Sequence, residues 1–132
     1  MISLICGRSR AGKTTYSKAF RDVLHLDNYG RGVKAYPKVI ERVEQSDGNI
    51  IVDGIYDTPE RRKALLDAFH GDGGKVCIWL DTPLDVIEQR FGRWKPSNFP
   101  RPFEPPTLSE GWDEIVVIRG DDEQRIDRID NA

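Results

Sequence analysis

The eight residues Gly7-Arg8-Ser9-Arg10-Ala11-Gly12-Lys13-Thr14 constrain this chain more than any other stretch. They match GxxxxGK[ST] at every fixed position. Ile2, Leu4 and Ile5 precede them as a short apolar run, and Tyr16, Ala19, Phe20 and Val23 follow at helical spacing, so the motif lies between an expected buried strand and a helix from about Gly12 to Leu24. Glycines at 7 and 12 let successive backbone N–H groups turn toward one anion, and the helix start adds positive potential. Lys13 supplies a mobile charge for the β- and γ-phosphates, and the Thr14 hydroxyl is placed to reach a phosphate-bound Mg²⁺. The expected nucleotide cradle is therefore Gly7, Arg8, Ser9, Arg10, Ala11, Gly12, Lys13, Thr14 and Thr15, with ATP as the triphosphate.

Beyond the loop, strand and helix patterns alternate. His25-Leu26-Asp27 is a brief strand candidate, and Tyr36, Val39, Ile40 and Val43 form a helical stripe. Asn49 to Asp53 reads as a buried strand. Thr58-Pro59 supplies an N-cap and a first-turn proline for a helix carrying Ala64, Leu65, Ala68 and Phe69, which stops near Gly71 to Gly74. Lys75 to Leu80 is a fourth strand, and Thr82-Pro83 opens a helix whose Val86, Ile87 and Phe91 face inward. A proline-bearing loop follows, then a fifth strand over Glu114 to Ile118 and a short helix over Asp121 to Ile129. This alternation predicts βαβ units and a parallel sheet covered on both faces, an α/β fold of three layers. With 132 residues the chain has the size of one domain, 1–132, with a lid or acceptor loop at about 90–111.

Function classes narrow further by charge. The net charge of −2 gives no global pull on nucleic acid, but two segments carry bases without acids. Met1 to Arg21 holds Arg8, Arg10, Lys13, Lys18 and Arg21; Gln89 to Phe103 holds Arg90, Arg93, Lys95 and Arg101. No apolar run approaches the roughly 20 residues that span a bilayer, so the expectation is a cytoplasmic protein with no membrane partner. Cys6 and Cys77 lie in strand-like segments without metal or redox spacing and read as buried reduced thiols.

Two carboxylates stand at strand ends, where open parallel sheets place their ligands. Asp53 is the candidate second metal contact beside Thr14, with Asp81 a weaker one, and Asp27 is the candidate base for an acceptor hydroxyl. Arg90 and Arg93 share a helix face and can close on the transferred phosphate. Phe91, Trp94, Phe99 and Phe103 interleave with the bases, a composition that suits either base stacking or pinning of the loop to the core.

On these residues the chain resembles the P-loop kinases of the polynucleotide kinase type. The likeness rests on Gly7 to Thr15, Leu26-Asp27-Asn28-Tyr29, Ile51-Val52-Asp53-Gly54, the Arg90/Arg93 pair, and above all Phe103 to Trp112, which is similar to that group's F-x-x-P-T-x-x-E-G-[FW] segment. The resemblance implies a five-stranded parallel sheet of order 2-3-1-4-5, Lys13 and Asp27 as catalytic residues with Arg90 or Arg93 as the lid arginine, and Mg²⁺ with ATP. It also implies a hydroxyl on nucleic acid as acceptor, at a 5′ end or on a hydroxymethylated base. Where phage members carry an acceptor-binding arginine this chain has Gly30, leaving Arg31 and Arg101 as the candidates beside Asp27. Where the group reads Asn-Thr after its aspartate, this chain reads Gly54-Ile55. A small-molecule kinase acting on a nucleoside, nucleotide or related metabolite, and a nucleotide-dependent switch or ATPase, fit the same scaffold.

Overall fold

The computed structural model describes residues 1–8, 13–30, 32–46, 48–83, 85 and 102–119, with Thr14 and Thr15 described in their backbone only. Five strands, β1 (Ile2–Gly7), β2 (Val23–His25), β3 (Ile50–Gly54), β4 (Lys75–Leu80) and β5 (Glu114–Ile118), pair in parallel in the order β2-β3-β1-β4-β5. The expected order is therefore the observed one.

Side chains alternate across the sheet, as the two-residue period of a strand requires. Ile2, Leu4 and Cys6 of β1, Val52 of β3, Cys77 of β4 and Ile115 and Val117 of β5 form the larger core with helices α2 (Ala35–Glu44) and α3 (Pro59–Ala68). α2 contributes Ala35, Val39 and Val43. α3 contributes Leu65, Leu66 and Ala68, and it starts as its sequence demands: the Thr58 side chain accepts the Arg61 N–H at 3.3 Å, with a proline in the first turn. Ile5, Leu80 and Ile118 form a second cluster on the opposite face, where Tyr16 of α1 (Lys13–Ser17) packs with Ile51, Ile78 and Val116.

Three expectations change. The first helix is five residues long, not thirteen. Val23, the last member of the expected stripe, pairs with Ile51 as β2, and that pairing requires extended chain where the stripe required helix. The turn between them carries Asp22 at φ 57°, and Phe20 is left exposed, its ring tilted against Tyr16 at 5.7 Å. β2 ends at His25, so Asp27 lies beyond it in a 3-10 turn over Leu26–Tyr29. β3 runs one residue past Asp53, to Gly54.

Gly54 is required by space. A Cβ there would stand 2.7 Å from Tyr56 Cε2 and 2.9 Å from both Leu26 Cβ and Cδ2. The helices expected after Pro83 and over Asp121 to Ile129 lie outside the described residues. Among the described residues no helix is long and apolar enough to cross a membrane.

Candidate active site

Register decides what meets at the carboxyl edge of the sheet. His25 of β2, Asp53 of β3 and Ile5 of β1 are cross-strand partners, so they fall in one row. Ile5 belongs to the α1 face, and its row therefore carries His25 and Asp53 to the side on which α1 begins. Lys13 is the first residue of that helix. Its ammonium donates to the Arg8 carbonyl at 2.6 Å. Burial pulls the Lys13 pKa below its ordinary 10.5, and Cys6, Asp53 and Asp27 act in the opposite direction on the same ammonium. Lys13, Asp27 and Asp53, chosen from sequence on separate grounds, thus share one electrostatic neighbourhood.

Asp27 is exposed, whereas Asp53 is buried, its side chain only 8% accessible. The Asp53 carboxylate accepts a hydrogen bond from His25 Nδ1 at 2.8 Å. His25 was not singled out from sequence; no spacing marks it, because it meets Asp53 only through the β2–β3 register.

The site tests whether a phosphate-borne Mg²⁺ fits. Among the described residues no group of three or more His, Cys, Asp or Glu side chains could cage a metal. One buried carboxylate beside a helix that opens with Lys13-Thr14 suits instead a cation that arrives on a triphosphate and keeps most of its water. Arg8 Nε, in the loop itself, is buried without a hydrogen-bond partner among the described residues, a group that an anion in the loop would satisfy. Asp81, the weaker metal candidate, accepts from Arg119 Nε at 3.1 Å, and its N–H donates to the Ile118 carbonyl at 2.8 Å. It joins β4 to β5.

The Phe103 to Trp112 string, to which the resemblance assigned no role, is held by a buried side chain of α3. Arg62, with 0% of its side chain exposed, donates from Nε and Nη2 to the two Glu110 oxygens at 2.8 and 3.0 Å. Its remaining bonds go to the Tyr56 carbonyl at 2.8 Å and the Pro105 carbonyl at 3.3 Å. Burial works against this guanidinium charge, but the Glu110 bonds and charge outweigh it and hold the pKa above its usual value. Glu110 also accepts from Trp112 Nε1 and, in a capping box, from the Thr107 N–H, both at 3.2 Å.

Phe103 is buried and stacks on Trp79 at 6.1 Å with planes 9° apart. Gly111 adopts φ 117° to close the turn, its N–H returning to the Leu108 carbonyl. The string is a clamp that fastens the segment before β5 to α3. Of the four aromatics that sequence left between stacking bases and pinning the loop, Phe103 pins the loop. Phe91, Trp94 and Phe99 lie outside the described residues, as do Ser9, Arg10, Ala11, Gly12, Arg31, Arg90, Arg93 and Arg101.

No protein-family model matches the chain, and no curated protein matches it. Among solved structures, an unliganded sugar kinase from Janibacter sp. HTCC2649 superposes with a TM-score of 0.63 at 16% identity, over 89% of this chain and 84% of that one. At that identity the likeness is one of fold. The fold the two share is α/β, here with a five-stranded parallel sheet.

Proposed function

We propose that this protein transfers the γ-phosphate of ATP to an alcohol hydroxyl of a small molecule. The observation that carries the reading is that Lys13, which heads α1, lies within the electrostatic reach of both Asp53, at the carboxyl end of β3, and Asp27. In this reading Lys13 follows the charge on the β- and γ-phosphates, and Thr14 with Asp53 holds Mg²⁺. The metal supplies neutralisation of charge on the phosphate oxygens. Asp27, exposed to solvent, receives the acceptor proton as the hydroxyl oxygen attacks phosphorus in line with the departing ADP. From sequence, Arg90 and Arg93 are assigned to the transferred phosphate and Arg31 and Arg101 to the acceptor.

A small acceptor is supported by the solved sugar kinase of the same fold and by Gly30 standing where phage polynucleotide kinases place an arginine for an acceptor phosphate. A hydroxyl on nucleic acid is the second reading, supported by the sequence resemblance. Its most specific element is the Phe103 to Trp112 string.

The test is transfer from γ-labelled ATP to a panel of sugars, polyols, nucleosides, 5′-hydroxyl oligonucleotides and hydroxymethylated DNA. Label on a small alcohol is the expected result, with Asp27→Asn lowering turnover by about 10²-fold while ATP binding persists. Salt-sensitive label on the oligonucleotides selects the second reading. Label recovered only as free phosphate refutes both.

A further inference from the structure

The metal role proposed for Asp53 leaves its partner His25 without an assignment, and we infer that His25 is a positioning residue that sets the Asp53 carboxylate to receive the metal of a bound Mg²⁺–triphosphate. The inference rests on that reading of Asp53.

Three features carry it. The bond is between side chains on directly registered positions of adjacent strands, His25 and Asp53, so backbone pairing holds the two groups together before any ligand arrives. An ionised carboxylate only accepts hydrogen bonds, so the proton lies on His25 Nδ1. Finally, the two charged groups that attract each other across the site have separate partners: the Lys13 ammonium is held by the Arg8 carbonyl at 2.6 Å and Asp53 Oδ2 by His25 at 2.8 Å. A Lys13–Asp53 pair would instead place cation and anion on each other, where the triphosphate and its metal belong.

The choice of residue matters. A lysine or arginine at position 25 would hold the carboxylate but cancel its charge. The His25 imidazole holds one Asp53 oxygen by a single bond and leaves the other oxygen to face a cation. This is the task that an outer hydrogen-bond partner performs for a metal-binding carboxylate, and losing such a partner typically weakens metal affinity 10- to 100-fold. With 34% of its side chain exposed, His25 can be replaced without opening the core.

The experiment compares binding of a fluorescent ATP analogue with and without Mg²⁺ in wild type, His25→Ala and His25→Asn. Wild type should bind more tightly with Mg²⁺. His25→Ala should reduce that gain by about tenfold and leave metal-free binding unchanged. His25→Asn, whose amide nitrogen can donate from near the Nδ1 position, should restore the gain to within about threefold.

An unchanged gain in His25→Ala overturns the inference. So does an equal loss with and without metal, which is the mark of a merely structural residue, or failure of asparagine to rescue. Independently, a long-range ¹H–¹⁵N spectrum of the metal-free wild type should show His25 protonated at Nδ1; the Nε2–H tautomer overturns the inference even if His25→Ala does not fold. If wild type gains nothing from Mg²⁺, the metal reading of Asp53 fails and the inference with it. A normal wild-type gain that survives His25→Ala removes the inference alone.

Discussion

Glu110→Ala tests whether the segment before β5 is a structural clamp or part of the acceptor site. Glu110 faces the guanidinium of Arg62 with both oxygens, and the two side chains are 6% and 0% exposed. Removing the carboxylate leaves a cation in the core with only the Tyr56 and Pro105 carbonyls as partners, and it also strips the Trp112 and Thr107 N–H groups of their acceptor. Breaking a buried pair from one side costs about 3–5 kcal/mol. With a urea dependence of about 2 kcal/mol per molar, that is a fall of about 1.5–2.5 M in the unfolding midpoint. Trp112, which donates to Glu110, and Trp79, stacked on Phe103, give the fluorescence signal. Replacing both partners, as Arg62→Met/Glu110→Met, should cost less than the sum of the single changes, because no unpaired charge remains. Turnover per folded molecule, measured well below the transition, should stay near wild type. A Glu110→Ala protein within about 1 kcal/mol of wild type in stability but with a raised acceptor KM would refute the clamp and return the segment to the acceptor.

Two further outcomes follow from single contacts. Gly54→Ala forces a methyl group to within 3 Å of Tyr56 and Leu26, so it should destabilise by about 1–3 kcal/mol and lower the melting temperature by about 5–10 °C in a calorimetric scan. An unchanged melting temperature would show that Leu26 and Tyr56 move aside freely. Lys13→Met should abolish phosphate transfer without lowering the unfolding midpoint, since burial disfavours the ammonium in the folded state. The sign with pH is fixed: the folded pKa lies below the unfolded 10.5, so between the two values the unfolded chain binds more protons and this group's contribution to stability rises with pH. Stability curves of wild type and Lys13→Met should therefore converge across that alkaline window, and parallel curves would contradict the burial argument.

Local chemistry in the sequence determined much of this protein. A short-range pattern suffices where one segment satisfies itself, as when Thr58-Pro59 starts a helix or the apolar runs at Lys75–Leu80 and Glu114–Ile118 become β4 and β5 at their expected bounds. The flanks of GxxxxGK[ST] belong to this class too: β1 ends at Gly7 and α1 begins at Lys13, neighbours in the chain. The stripe from Tyr16 to Val23 misled because its last residue had a stronger alternative, pairing with β3, that no local window contains.

Tertiary structure alone decided the rest. His25 meets Asp53 across 28 positions of sequence, and Arg62 meets Glu110 across 48. Both pairings depend on register and packing rather than on spacing. The same physics separates the two kinds of information: a helix cap or a phosphate loop is made by adjacent backbone groups, whereas the partner of a buried charge is whichever side chain the folded sheet brings to it.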